Sequence, residues 1–243
     1  KKIFTRANLT LQTVGGEEEQ KQAALCLPYV TDDMPEGVRA ETLSFRFPAP
    51  QGNEGILTSG KVQYVVKGGN FRRHGFAYTG ALQVMETILR YEYLWKKIRV
   101  QGGAYGAFTQ FALNGNALLC SYRDPNLGET VKAYKEAAEY LRKFTISDRE
   151  MTKYVIGTMA PAEMQYTPFM KGEQAMMFRL CGITTEDRVR VRREIITCTQ
   201  EDIRRLGDLM ESVMNEPYLC VMGGEEKIKS EEALFDRLVS LPE

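Results

Sequence analysis

Two adjacent glycines, Gly102 and Gly103, separate a helical pattern from an alternating one, and this junction constrains the fold more than any other stretch. Upstream, over residues 79–98, Ala81, Val84, Met85, Ile88, Leu89, Trp95 and Ile98 recur at helical spacing and form one apolar stripe. Downstream from Ala104 the period drops to two. Tyr105, Ala107, Thr109, Phe111 and Leu113 share one face, with Phe108, Gln110 and Ala112 on the other, which predicts a strand. Asn114-Gly115 offers the positive backbone angles of a tight hairpin turn, and residues 117–122 return as the partner strand, closed by Arg123-Asp124-Pro125. Arg99 stands just before the glycines and Tyr105 just after them, so a planar cation and a phenol flank a flexible corner.

The remaining patterns extend this unit in both directions. Residues 61–67 and 218–222 read as strands. Helices are expected from Asn126 (a capping pair with Glu129), from Ser147 (with Glu150) to Met159 with Pro161 interrupting, and over 170–181, 185–197, 200–214 and 225–241. The expected fold is α+β, a two-layer sandwich of a mostly antiparallel sheet with helices on one face. At the N-terminus, residues 5–14 read as a strand and 17–27 as a helix ended by Pro28. The Pro- and Gly-rich residues 28–60 read as linker, with a short extended piece at Glu41–Phe47. The two ends parallel each other: in both, a short strand meets Gly-Gly, and Glu-Glu then opens a helix closing on Leu-Pro. Either the motif is a common local solution, or residues 1–28 are the strand-helix tail of a preceding homologous domain. The second alternative gives 29–57 as linker and 58–243 as the next copy.

Composition removes several function classes. Lys plus Arg and Asp plus Glu both number 32, so no net positive field favours nucleic acid or an anionic membrane. No apolar run approaches the ~20 residues of a membrane span. The chain opens at Lys1 without Met or leader, as expected of a piece of something longer. Five cysteines without a CxxC pair suggest a reducing compartment, and four of them fall in apolar-periodic segments as small buried hydrophobes. The single histidine, His74, cannot supply a hydrolytic zinc site or, without a nucleophile elbow, a triad; a turn or surface role is expected for it. The GGAYG segment lacks the Lys-Ser/Thr of a phosphate loop and runs from helix to strand, the reverse of the required order. On residue chemistry alone, Arg99 is a helix C-terminal cation, Tyr105 a core-face aromatic, and the glycines relieve the turn.

The segments KVQYVVKGGNF, WKKIRVQGGAYGAF, SYRDPNL and YVIGTM resemble the last domain of presequence-protease-type metallopeptidases, a branch of the insulinase-like (pitrilysin) family. The resemblance covers most of residues 58–210. It implies an inactive peptidase-homology domain that helps enclose a chamber for unfolded peptides. The zinc and its HxxEH motif would lie in an N-terminal half of the same polypeptide, and this fragment would carry no cofactor. The family's substrate-binding and transition-state-stabilising Arg and Tyr fall on Arg99 and Tyr105, and Gly102 and Gly103 between them join the substrate-binding set. The substrate would be an extended peptide added as an edge strand. A bacterial cytoplasm or an organelle matrix is the expected compartment. The alternative from another class is a structural or assembly module of the same fold.

Overall fold

A computed structural model describes residues 4–39, 52–162 and 164–240. The chain forms two compact units, one of Lys1–Ala49 with Met164–Arg188 and one of Pro50–Glu163 with Val189–Glu243. The larger unit contains a six-stranded sheet built from β1 (Glu54–Thr58), β2 (Gln63–Asn70), β3 (Gly106–Phe111), β4 (Asn116–Asp124), β5 (Leu219–Gly224) and β6 (Arg237–Ser240). The strand order is β3-β4-β2-β5-β1-β6. The β3–β4, β4–β2 and β2–β5 pairings are antiparallel, while β1 lies parallel to both β5 and β6.

Alternation along the strands sends Val65, Thr109, Phe111, Leu119, Ser121, Leu219 and Val221 into the buried layer. Tyr64, Phe108, Gln110, Cys220 and Met222 stand exposed on the opposite face. Helices α2 (Gly80–Ile88), α3 (Gly128–Arg142) and α7 (Gln200–Met214) bury an apolar stripe each in that core. Tyr134 of α3 is fully buried and donates to Val65 O (3.4 Å), fastening helix to sheet. The expected two-layer α+β sandwich is therefore the observed architecture. Helices α4 (Asp148–Ala162) and α6 (Thr185–Ile196) begin on reciprocal caps, Ser147 with Glu150 and Thr184 with Asp187. Thr199 and Asp202 make the same box at the start of α7.

The structure departs from the sequence reading at several places. The helix upstream of the glycines changes character after Ile88: Leu89–Gln101 is π-helical. With one more residue per hydrogen-bonded turn, Leu89, Tyr93, Leu94 and Ile98 face the core, and Trp95 rotates out to 44% exposure. The hairpin loop spans 112–115, closed by Gly115 N–H to Ala112 O (2.9 Å), and only Gly115 takes a positive φ, 93°. Residues 54–58, assigned to linker and domain edge, are instead a strand paired on both sides. The last expected helix is short: α8 (Glu225–Ser230) gives way to a 3-10 turn and the edge strand β6. Glu41–Phe47 lies outside the described residues.

In the smaller unit, residues 5–14 are not a strand. A 3-10 turn at Arg6–Asn8 is followed by unpaired backbone, and α1 (Glu17–Thr31) runs on past Pro28. The Arg6 guanidinium donates to the carbonyls of Thr31, Asp32 and Met34, closing that helix's C-terminus. The two chain ends thus have different topologies, since residues 219–224 form an interior strand, and their resemblance is local. Neither α1 nor α5 (Pro168–Cys181) buries a residue. This leaves Cys26 and Cys181 exposed, and Cys220 is exposed on the open sheet face. Only Cys120 and Cys198 behave as buried hydrophobes, with burial pushing their thiols up to about 11 and about 12.

One titration follows from the packing. The half-buried Glu86 carboxyl on α2 accepts a hydrogen bond from Phe111 N–H on the edge strand β3. Burial pushes its pKa up to about 7, against the opposing pull of that bond and of Arg90. The folded chain therefore keeps a proton that the unfolded chain releases near the ordinary glutamate value. The stability gained is complete below that value and is lost as pH rises toward 7. Unfolding free energy followed from about pH 4 to about pH 8 is expected to carry a falling component that Glu86→Gln flattens. Identical slopes in the two proteins would contradict this.

Candidate functional site at the glycine corner

The π-helical segment ends by folding its own carbonyls back onto the corner. Gly103 N–H donates to Arg99 O (2.9 Å) and Ala104 N–H to Ile98 O (3.1 Å). Gly103 has φ 77°, and a Cβ on Gly102 would lie 2.6 Å from Ile98 O, so neither position accepts a larger residue without movement. Asn126, expected as a helix cap, instead donates from Nδ2 to Gly102 O and from its backbone N–H to Asp124 Oδ1 (2.9 Å). The corner is thereby tied to the far end of the hairpin.

Arg99 and Tyr105 leave this corner as exposed side chains. The Arg99 guanidinium lies over the Trp95 ring, 4.1 Å from its centroid, one turn back on the same helix. Stacking on an indole keeps the planar fork extended and its donors free. Tyr105 precedes β3 rather than lying within it and is 60% exposed, so it is not a core-face aromatic. Its N–H donates to Arg123 O (3.3 Å). Its ring meets Tyr122 edge-on (centroids 5.5 Å, 60°), and Arg123 places its guanidinium carbon 5.7 Å from the ring centroid. Tyr122 fits there because residue 106 is glycine; a Cβ would stand 2.5 Å from the Tyr122 ring.

Beneath these groups, Asp124 is fully buried. Its carboxyl accepts from Ser121 Oγ (2.6 Å) and Thr130 Oγ1 (2.8 Å) as well as from Asn126 N–H. The buried Gln63 donates from Nε2 to Asp124 O (3.2 Å) and accepts from Gly224 N–H (3.1 Å), joining three strand ends. The corner thus presents a stacked guanidinium and a braced phenol on a rigid base. Both can donate hydrogen bonds to carbonyl oxygens.

Sequence reasoning located Arg99, Gly102, Gly103 and Tyr105 but missed Trp95, Tyr122, Arg123 and Asp124. Trp95 lies four positions before Arg99, a helical-neighbour spacing that was available, though the apolar stripe took it for core. Tyr122, Arg123 and Asp124 lie in SYRDPNL, one of the segments that carry the family resemblance, but the resemblance assigned them no role.

His74 closes the 3-10 turn Phe71–His74, with Nε2 3.1 Å from Glu216 Oε1. Glu216 also accepts from Asn70 N–H (2.7 Å), so this histidine belongs to a structural knot at the end of β2. No cluster of three His, Cys, Asp or Glu able to hold a metal occurs among the described residues. With one histidine in the sequence and no such cluster, the donor set does not fit a catalytic zinc. The chain purified alone is expected to retain no stoichiometric zinc after mild chelation and to cleave no peptide. Elemental analysis showing near-equimolar retained zinc, together with peptidase activity, would contradict this. No helix among the described residues is long and apolar enough to cross a membrane.

Comparison with known proteins places this geometry in context. Residues 53–223 match the family described as the PreP C-terminal domain. The chain is 40% identical over 239 residues to "Protein HypA" of Clostridium perfringens, covering 98% of this chain and 24% of that protein. It is 31% identical over 198 residues to "Presequence protease 1, chloroplastic/mitochondrial" of Arabidopsis thaliana, covering 81% of this chain and 18% of that protein. The chain therefore spans about a quarter or less of these relatives' lengths. Among solved structures, a peptidase M16 inactive domain from Pseudomonas fluorescens superposes with TM-score 0.58 at 14% identity, covering 88% of this chain and 50% of that one. Pitrilysin superposes at 0.52 and 12% identity, covering 79% and 21%. At these identities the superpositions speak to the fold.

Proposed function

Because the chain belongs to the family of PreP C-terminal domains, we propose that it works as the metal-free part of a presequence-protease-like zinc peptidase, binding the substrate and stabilising the transition state formed at the zinc of the other half. On this reading, Tyr105 donates a hydrogen bond to the scissile carbonyl oxygen and holds it more strongly as negative charge develops there. Arg99 binds a neighbouring backbone carbonyl of an extended peptide and fixes its register. The metal and its general base belong to the N-terminal half of the same polypeptide, outside this chain, and the sheet unit helps enclose the peptide. Residues 1–28 are assigned to the tail of a preceding part of that polypeptide.

One observation carries the proposal. The two side chains flanking the glycine corner are both exposed and braced, Arg99 by Trp95 and Tyr105 by Tyr122 and Arg123, instead of being buried in the core. A residue kept only for packing would lose its polar tip to a partner or to the interior. Here both tips face outward on a fixed base.

The test is Arg99→Lys in the full-length protein. Lysine keeps the charge but loses the planar fork and its stack on Trp95. kcat/KM for a peptide substrate is expected to fall roughly tenfold with an unchanged melting temperature. An unchanged kcat/KM would remove Arg99 from the site. Silence in both Arg99 and Tyr105 variants would favour the structural or assembly module.

A further inference from the structure

Among the described residues the sheet contains one irregularity, and it lies beside Tyr105. The β2–β4 register runs Gln63↔Asp124 and then Val65↔Ser121, so Tyr122 and Arg123 together oppose the single residue Tyr64. This is a β-bulge, a device that bends a strand and re-aims its side chains. Within it Arg123 has φ 49°, and it is the one non-glycine residue with positive φ among the described residues. Glycine takes such a position without strain, whereas a long side chain is uncommon there. The strain persists because neighbouring contacts over-determine it. Asp124 is locked by Ser121, Thr130, Asn126 and Gln63, and Arg123 O is held by Tyr105 N–H. Arginine in a glycine position points to a use for its side chain.

That side chain sets its guanidinium carbon over the Tyr105 ring, 5.7 Å from the centroid. We propose that Arg123 is a positioning residue for Tyr105. With Tyr122 it holds the exposed ring from two sides, which fixes the direction in which the phenol hydroxyl points. The inference rests on the role proposed for Tyr105 and extends the site by one residue. Arg123 acts through the phenol and need not touch the peptide.

Arg123→Gly separates the two explanations for an arginine here, because it relieves the backbone while deleting the contact. In the full-length peptidase it is expected to melt at the same or a higher temperature. It is also expected to lose roughly tenfold in kcat, with KM moved less than about twofold, because misplacing a reacting group costs rate more than binding. Arg123→Lys, keeping charge without the planar face, is expected to recover part of the loss. In a Tyr105→Phe background, Arg123→Gly is expected to add almost nothing, since the group through which it acts is gone. Full kcat in Arg123→Gly, alongside a damaging Tyr105→Phe, would overturn this inference alone. Equal losses in both backgrounds would also overturn it, showing direct contact with the peptide. A silent Tyr105→Phe would bring down the site assignment, and the positioning role with it.

Discussion

Tyr105→Phe in the full-length protein is expected to lower kcat about 10²-fold, the lower end of what deleting one oxyanion donor costs in hydrolases. The substitution removes a single hydroxyl from a side chain that is 60% exposed, so no buried hydrogen bond is lost. The edge contact of the ring with Tyr122 and its stack with Arg123 both survive, because each uses the ring rather than the hydroxyl. Melting temperature and zinc content should therefore match the native protein, which makes the kinetic loss readable as chemistry. Steady-state kinetics beside a melting curve decide the matter. A variant with native kcat and kcat/KM would leave Tyr105 as an exposed aromatic with no part in catalysis.

Asp124→Ala is expected to act in the opposite way, through the fold. The carboxyl is fully buried and satisfies three donors, Ser121 Oγ, Thr130 Oγ1 and Asn126 N–H. Removing it strands those donors in the interior, at a cost of roughly 3–5 kcal/mol. For a domain of this size that corresponds to a melting temperature lower by roughly 10 °C. The same substitution releases the strand end on which Arg123 and Asn126 depend, so the glycine corner should loosen with it. Thermal unfolding of the purified chain tests this, and a shift of less than about 2 °C would show that the network contributes little.

Much of this architecture was legible in the sequence because its signals were local. The alternation of Thr109 and Phe111 with Phe108 and Gln110 marks an amphipathic strand wherever it sits. The capping boxes at Ser147 and Thr199 announce helix starts within four residues. Less legible were features fixed by partners distant in sequence. Residues 54–58 became a strand only because β5 and β6 pair with them on either side. Conversely, residues 9–14 have the alternation of a strand but no partner, and they remain unpaired.

The candidate site divides along the same line. Arg99 and Tyr105 could be singled out from a glycine pair and a family resemblance. Trp95 was hidden by the assumption of an ordinary α-helix. In the π-helical segment the buried positions shift to Tyr93 and Leu94, which frees the indole to support Arg99. Arg123 was hidden more deeply, since its place against Tyr105 depends on a bulge created by the register of β2 against β4.

On the proposed reading, Tyr105 binds the transition state more tightly than the substrate. The most direct test is the affinity of the full-length protein for a phosphinic peptide, whose tetrahedral oxyanion imitates the attacked carbonyl, compared between the native enzyme and Tyr105→Phe. Inhibition by this analogue is expected to weaken about 10²-fold, in step with kcat, while KM for the matching substrate moves less than about threefold. Equal affinity of native and Tyr105→Phe enzymes for the analogue would contradict this reading.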